Sequence, residues 1–193
     1  MLAVVTDDRI SLDPRTLRGL AHPLRVRILQ LLRDSGPSTA TLLAQRLGLS
    51  SAATSYHLRQ LSLYGFVTDE TEQASGRERW WRAVHRGTTV DRVDPDSYGD
   101  FEIYLRAVAA EYAARMDRAI SELPTRPADW ANVGTLSDWT RQLDPAETEA
   151  LLAELTEVID RYRRAEPGSC APEGTRRVQV QLQVLPVFDE VQQ

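Results

Sequence analysis

The first strong signal along the chain is a run of apolar positions at helical spacing, with Leu17, Leu20, Leu24, Ile28, Leu31 and Leu32 recurring every three or four residues. Asp13-Pro14 opens this run, because an Asp can cap free N–H groups and Pro suits the first helical position. Pro23 is expected to kink or divide the helix near Ala21 and His22, and Ser35-Gly36-Pro37 ends it. A second helix opens at Ser38 or Thr39 and runs to Leu47, burying Leu42, Leu43 and Leu47, and Gly48 supplies a sharp turn. The third starts at Ser50 or Ser51. It carries Thr54, Leu58 and Leu61 on one face and turns Ser51, Ala52, Ser55, Tyr56, Arg59 and Gln60 outward.

Gly65 stops that helix. Phe66 to Glu70 then reads as a strand, Gln73-Ala74-Ser75-Gly76 as a turn and Glu78 to Val84 as the return strand, a β-hairpin bearing Arg77, Arg79 and Arg82. Trp80 and Trp81 alternate across the return strand, so one is expected to be buried. Beyond a polar link, Asp91 to Asp96, a long helix from about Ser97 to Leu123 places Phe101, Leu105, Val108, Tyr112, Met116 and Ile120 on one seam, and Pro124 and Pro127 terminate it. A seam of this kind on a helix beyond the three-helix and hairpin segment suits packing against the same helix of a second subunit. The remainder is expected to form a small β-α-β unit. Its parts are a strand around Gly134 to Leu143, a helix capped by Asp144-Pro145 reaching about Arg164, and a strand in which Val178, Val180, Leu182 and Val184 alternate with glutamines.

The predicted fold is thus mainly α with small β: a winged helix-turn-helix over residues 1–90, followed over 91–193 by a long dimerisation helix and the β-α-β extension. Charge follows the same division. Residues 1–90 carry 12 Arg against 8 Asp plus Glu, a net of +4, whereas residues 91–193 carry 11 Arg against 20 acids, a net of −9. The total of −5 therefore conceals a positive half, the candidate nucleic-acid face. The chain contains no lysine, and no function is read into that.

Several classes of function are disfavoured. No apolar run approaches the roughly 18 residues of a membrane span, and Met1 to Ile10 has no signal-peptide pattern, so a cytoplasmic protein is expected. The single cysteine, Cys170, excludes an intrachain disulfide and a thiolate-rich metal site. His22, His57 and His85 are scattered without ligand spacing, and His57 suits a structural or phosphate-binding role at the flank of the buried face. No glycine-rich phosphate loop, nucleophile elbow or His–carboxylate cluster is present, so neither an enzyme nor a cofactor is expected. Asp144, Glu147, Glu149, Glu154 and Glu157 read as the wet face of their helix. Trp130 and Trp139, flanking Gly134, are a candidate pocket for a small effector, with ordinary packing as the plainer reading.

Three segments, "LAHPLRVRILQLL", "LAQRLGLSSAATSYHLRQLSLYGFV" and "GRERWWRAV", resemble the bacterial ArsR-type winged-helix regulators, and the resemblance spans about residues 14–86. It implies a homodimer that represses promoters and releases DNA when an effector binds. Metal-sensing members carry cysteines in or near the first helix of the helix-turn-helix. Here that stretch reads "STATLLAQRLG", so a non-metal effector is expected. The expected partners are double-stranded DNA, a second copy of the chain and a small molecule, with no membrane. Helix 51–63 would read a palindromic operator in the major groove, and wing 66–84 would anchor on phosphates. The competing reading is a protein-interaction adaptor that uses the winged-helix scaffold without DNA.

Overall fold

The computed structural model describes residues 9–71, 78–90, 93–167 and 171–187. It is mainly α with two small sheets, and divides into two compact units, Met1–Leu123 and Pro124–Gln193. The first begins with strand β1 (Arg9–Ser11) and helix α1 (Pro14–Leu20). Asp13 caps α1 in a reciprocal box, accepting from the Thr16 amide at 2.7 Å while its own amide donates to Thr16 Oγ1 at 2.8 Å. Pro23 divides the helical run as expected. His22 is the N-cap of helix α2 (Pro23–Ser35), and the chain between α1 and α2 turns through Ala21.

Strand β2 (Ser38–Thr39) leads directly into helix α3 (Ala40–Leu47), whose N-cap Thr39 accepts from the Leu42 amide. Gly48, at φ 66°, closes α3 in the left-handed conformation, and Ser50 caps helix α4 (Ser51–Leu63). Of the three leucines expected to be buried on α3, Leu43 is fully buried and Leu47 packs at the core edge. Leu42 is exposed, because one short helix turns only one stripe inward. Strands β3 (Val67–Asp69) and β4 (Trp80–Ala83) form the hairpin, somewhat shorter than expected. β4 lies between β2 and β3, pairing antiparallel with both, while β1 pairs parallel with strand β5 (Gly87–Thr89).

Leu20, Ile28, Leu32, Leu43, Leu58, Leu61 and Phe66 are almost wholly buried in one cluster beneath these elements. Helix α5 (Tyr98–Ser121) then returns across α1 and α2, burying Tyr104 and Ala107 against the same core. Ion pairs Arg27–Glu111 at 3.5 Å and Arg18–Asp100 at 3.8 Å flank the contact. The long helix therefore packs with the winged helix, although its pattern grouped it with the C-terminal extension.

The second unit contains helix α6 (Pro145–Asp160), opened by Asp144 and Glu147 in a capping box. Two expected strands are corrected here. Neither Gly134 to Leu143 nor Val178 to Val184 is a strand, and so no β-α-β unit forms. Val178, Val180 and Leu182 are exposed, and none of the unit's described residues is buried. Alternation states which side of a strand a sheet would bury. It does not supply the neighbouring strand whose hydrogen bonds would hold the sheet. Among the described residues no helix is long and apolar enough to cross a membrane.

Candidate nucleic-acid interface

α4 is held from one side only. Thr54, Leu58 and Leu61 are buried, and the Thr54 hydroxyl donates to the Ser50 carbonyl at 3.1 Å, so a polar atom inside the core is satisfied. The opposite face carries Ser51, Ala52, Tyr56 and Arg59 exposed, with Ser55 and Gln60 half-buried beside them. All six residues expected to look outward thus share one surface, along a helix about 20 Å long. Arg59 donates from Nε to the Ser55 carbonyl at 3.1 Å, a tether that fixes where the guanidinium stands over the helix.

A groove of about 270 Å³ separates this face from the hairpin. Thr41, Ser51, Ser55 and Arg59 line one side, with Glu78, Arg79 and Trp81 on the other. Trp81, only 3% exposed, anchors β4, while Trp80 is half-buried, as their alternation predicts. Arg79 lies over the Trp81 ring, 4.1 Å from its centre, and grips the Asp69 carboxylate through Nε and Nη2, the latter at 2.7 Å. Arg82 pairs with Glu70 at 3.4 Å. Arg79 and Arg82, the described two of the three hairpin arginines expected to meet DNA, are therefore matched by carboxylates at the end of β3, which a count of arginines does not show. Arg77 and the turn Gln73 to Gly76, like Cys170, lie outside the described residues. Thr41 donates to Glu78 at 2.8 Å, and Arg33 of α2 donates to the carbonyls of His85 and Gly87, which fixes the base of the hairpin.

The seam expected on α5 is split. Phe101, Val108 and Tyr112 are half-buried, the first two against the core, whereas Leu105, Met116 and Ile120 are 45%, 40% and 51% exposed. Trp130 borders a polar hollow of about 340 Å³ with Asp129, Glu173 and Arg176. Trp139 is 72% exposed and lines no part of it, so the two tryptophans do not share a pocket. The acidic residues of α6 are exposed. Among the described residues no group of three or more His, Cys, Asp or Glu is placed to hold a metal ion.

The structure also assembles a cluster that sequence spacing gave no means of finding. His22 and His57, one capping α2 and the other on α4, approach to 4.6 Å between ring centres, and Tyr56 meets His57 edge-on at 5.3 Å. Burial holds the His57 imidazole below its usual range, and the charges of His22 and Arg25 add to that. His22 accepts the Leu24 amide at Nδ1, whereas His57 Nδ1 and Arg25 Nε are buried without a hydrogen-bond partner.

Residues 20–70 match the family of the helix-turn-helix domain. The matched stretch runs from the end of α1 to the end of β3 and includes the whole of α3, the Gly48 turn and α4, so the pair of helices described above is the helix-turn-helix itself. This supports a DNA-binding regulator. No curated protein matches the chain. Among solved structures, the chain is similar to a double mutant of Lactococcus lactis ZitR in its apo form, at 17% identity over 77% of this chain and 83% of that one. The TM-score is 0.29, too loose a superposition to bear on fold or function.

Proposed function

We propose that the chain is a homodimeric, sequence-specific DNA-binding repressor of the ArsR type, which reads a palindromic operator with α4 and steadies itself through the hairpin wing. The observation that carries this reading is the outward face of α4. Two hydroxyls, a phenol, an amide and a tethered guanidinium stand on a helix of a width the major groove admits, where each base pair displays its own pattern of donors and acceptors. Arg59 is assigned to guanine, a bidentate contact worth about 1–3 kcal/mol of discrimination. Ser51, Ser55, Tyr56 and Gln60 serve phosphate and base-edge contacts. The wing, through Arg77, Arg79 and Arg82, contributes register and affinity rather than sequence choice.

A single reading head covers few base pairs, so useful specificity calls for two heads about one helical turn apart. The exposed stripe of Leu105, Met116 and Ile120 supports pairing of α5 with its copy, because helical spacing sets that stripe apart from Tyr104 and Ala107, already buried within the chain. A non-metal small molecule that binds one arrangement of the heads better than the other would release DNA by that difference in affinity. The polar hollow at Trp130 is the candidate place for it.

The test is selection of bound duplexes from a random pool, with wild type and Arg59→Ala in parallel at physiological salt. Enrichment of a two-fold symmetric site by wild type, blurred in the variant, is the expected result. A wild type that enriches nothing and shows no salt-dependent duplex binding would replace this reading with the adaptor.

A further inference from the structure

Helix α6 stands without cover. None of its residues is buried, and 16 residues make a marginal helix where no neighbour takes up the apolar side. Yet it carries a seam. Leu152, Leu155, Ile159 and, in the turn just beyond the helix end, Tyr162 follow at steps of three, four and three, the spacing at which one helix meets another. Leu152, Ile159 and Tyr162 are 36%, 40% and 74% exposed, Val158 beside them is 41% exposed, and Leu155 is half-buried.

Charge is ordered along the same helix. Asp144, Glu147 and Glu149 lie at its start and Arg161, Arg163 and Arg164 just past its end, all of them exposed. Arg164 holds Asp160 at 3.1 Å, but the side chains of Glu149 and Arg163 have no hydrogen-bond or ion-pair partner among the described residues.

We propose that α6 is an interface between two copies of this chain, laid antiparallel across a two-fold axis. In the register that the seam sets, Leu152 faces the partner's Tyr162 and Leu155 faces the partner's Ile159, and each contact occurs twice, as a two-fold axis requires. The same register brings Glu149 beside the partner's Arg163, on the flank where paired helices match their charges. Two groups left unpaired within one chain thus meet across the axis. A parallel pair would set acids against acids at one end and arginines against arginines at the other. The order of charge therefore names the occupant: read backwards, the helix is its own complement. A helix about 24 Å long offers a contact at or below the lower end of stable interfaces, about 1,200 Å², so the association is expected to be reversible. It depends neither on the DNA reading nor on pairing through α5.

The experiment is thiol trapping on the full chain with a short thiol-to-thiol cross-linker, one cysteine at a time, in a Cys170→Ser background. Thr156 falls where the axis crosses the pair, so Thr156→Cys should trap a covalent dimer. Glu157→Cys, one residue on and facing outward, is the control. Glu149→Cys lies about 21 Å along the axis from its own copy. Both should trap at least about tenfold more slowly than Thr156→Cys, whereas a mixture of Glu149→Cys and Arg163→Cys chains should trap the mixed dimer. Adding Glu149→Arg to Thr156→Cys should slow trapping several-fold, and adding Arg163→Glu to that variant should restore it. Sedimentation of the unmodified chain needs no variant to fold and should show a concentration-dependent dimer. A chain that sediments as a monomer at every concentration overturns the proposal. So does a dimer in which position 156 traps no faster than 157, which moves the association elsewhere, to the exposed stripe of α5. Equal trapping at 149 and 156 means parallel helices and overturns it as well. None of these outcomes touches the duplex selection, so the DNA reading stands or falls separately.

Discussion

Arg115 of α5 donates from Nη2 to Asp34 Oδ2 at 2.5 Å, and the arginine side chain is only 11% exposed. The same nitrogen reaches Gln30 Oε1 at 3.3 Å, so one guanidinium ties the middle of the long helix to the last turns of α2. Asp34 is about half exposed and solvent weakens its share, yet removing the arginine takes one donor from each of the two acceptors. Arg115→Ala is expected to lower stability by about 1–2 kcal/mol. Denaturant midpoints at constant slope measure this, and an unchanged midpoint would mean that the other contacts of α5 hold it without Arg115.

Tyr104 provides the second link. Its hydroxyl and that of Thr88 lie 2.8 Å apart, joining α5 to β5, and burial raises the phenol above its ordinary value of 10.0. An acid with a raised value in the folded chain stabilises it fully below the unfolded value, and loses that contribution as pH climbs through the folded one. Tyr104→Phe should therefore cost about 1 kcal/mol at neutral pH through the lost hydrogen bond. It should also narrow the loss of stability that wild type suffers above about pH 10. Parallel alkaline unfolding curves for the two proteins check both, and identical curves would remove any role of the Tyr104 hydroxyl in holding α5.

The features legible in the sequence are those set by local physics. Thr54, Leu58 and Leu61 recur at a period that only a helix satisfies, Pro23 fits the first turn of a helix but not its interior and so divides the run, and Asp144-Pro145 starts another. The outward face of α4 followed directly from its inward one. Other features depend on what lies across the fold. β1, β2 and β5 are two or three residues long, and their partners rather than their own pattern make them strands. The seam on α5 overlooked Tyr104 and Ala107, because an aromatic with a hydroxyl and an alanine register weakly in an apolar pattern, although they form the contact. The glutamine-alternating stretch from Val178 had the pattern and no partner. His22 and His57 meet only because α2 and α4 cross, which no spacing along the chain encodes.

Gly19 is a residue whose importance comes from a close approach rather than from its backbone angles. A Cβ there would stand 2.6 Å from Tyr64 Cγ and 2.9 Å from Phe66 Cε2, and Phe66 is buried at the heart of the core. Neither ring can retreat without disturbing its neighbours, so Gly19→Ala should destabilise by about 1–3 kcal/mol, against the usual gain from placing alanine in a helix. Thermal unfolding of the variant measures it. A neutral or stabilised variant would mean that Tyr64, which is only half-buried, yields.

The pairing of Arg79 with Asp69 gives the wing a testable electrostatic role. Held by both guanidinium contacts and stacked on Trp81, Arg79 is fixed in place, but the carboxylate cancels much of its field. If the wing anchors on phosphate, Asp69→Asn keeps a side chain able to accept from the guanidinium and removes the competing charge. Binding should then strengthen several-fold on selected and scrambled duplexes alike. The slope of log affinity against log salt should steepen by up to about 0.9, the value of one added phosphate contact. Arg79→Ala should weaken both duplexes equally and flatten the slope. Should Asp69→Asn bind both duplexes as wild type does, with the same slope, the Arg79–Asp69 pair would be a strut that holds β3 to β4, and affinity for the backbone would have to come from elsewhere on the domain.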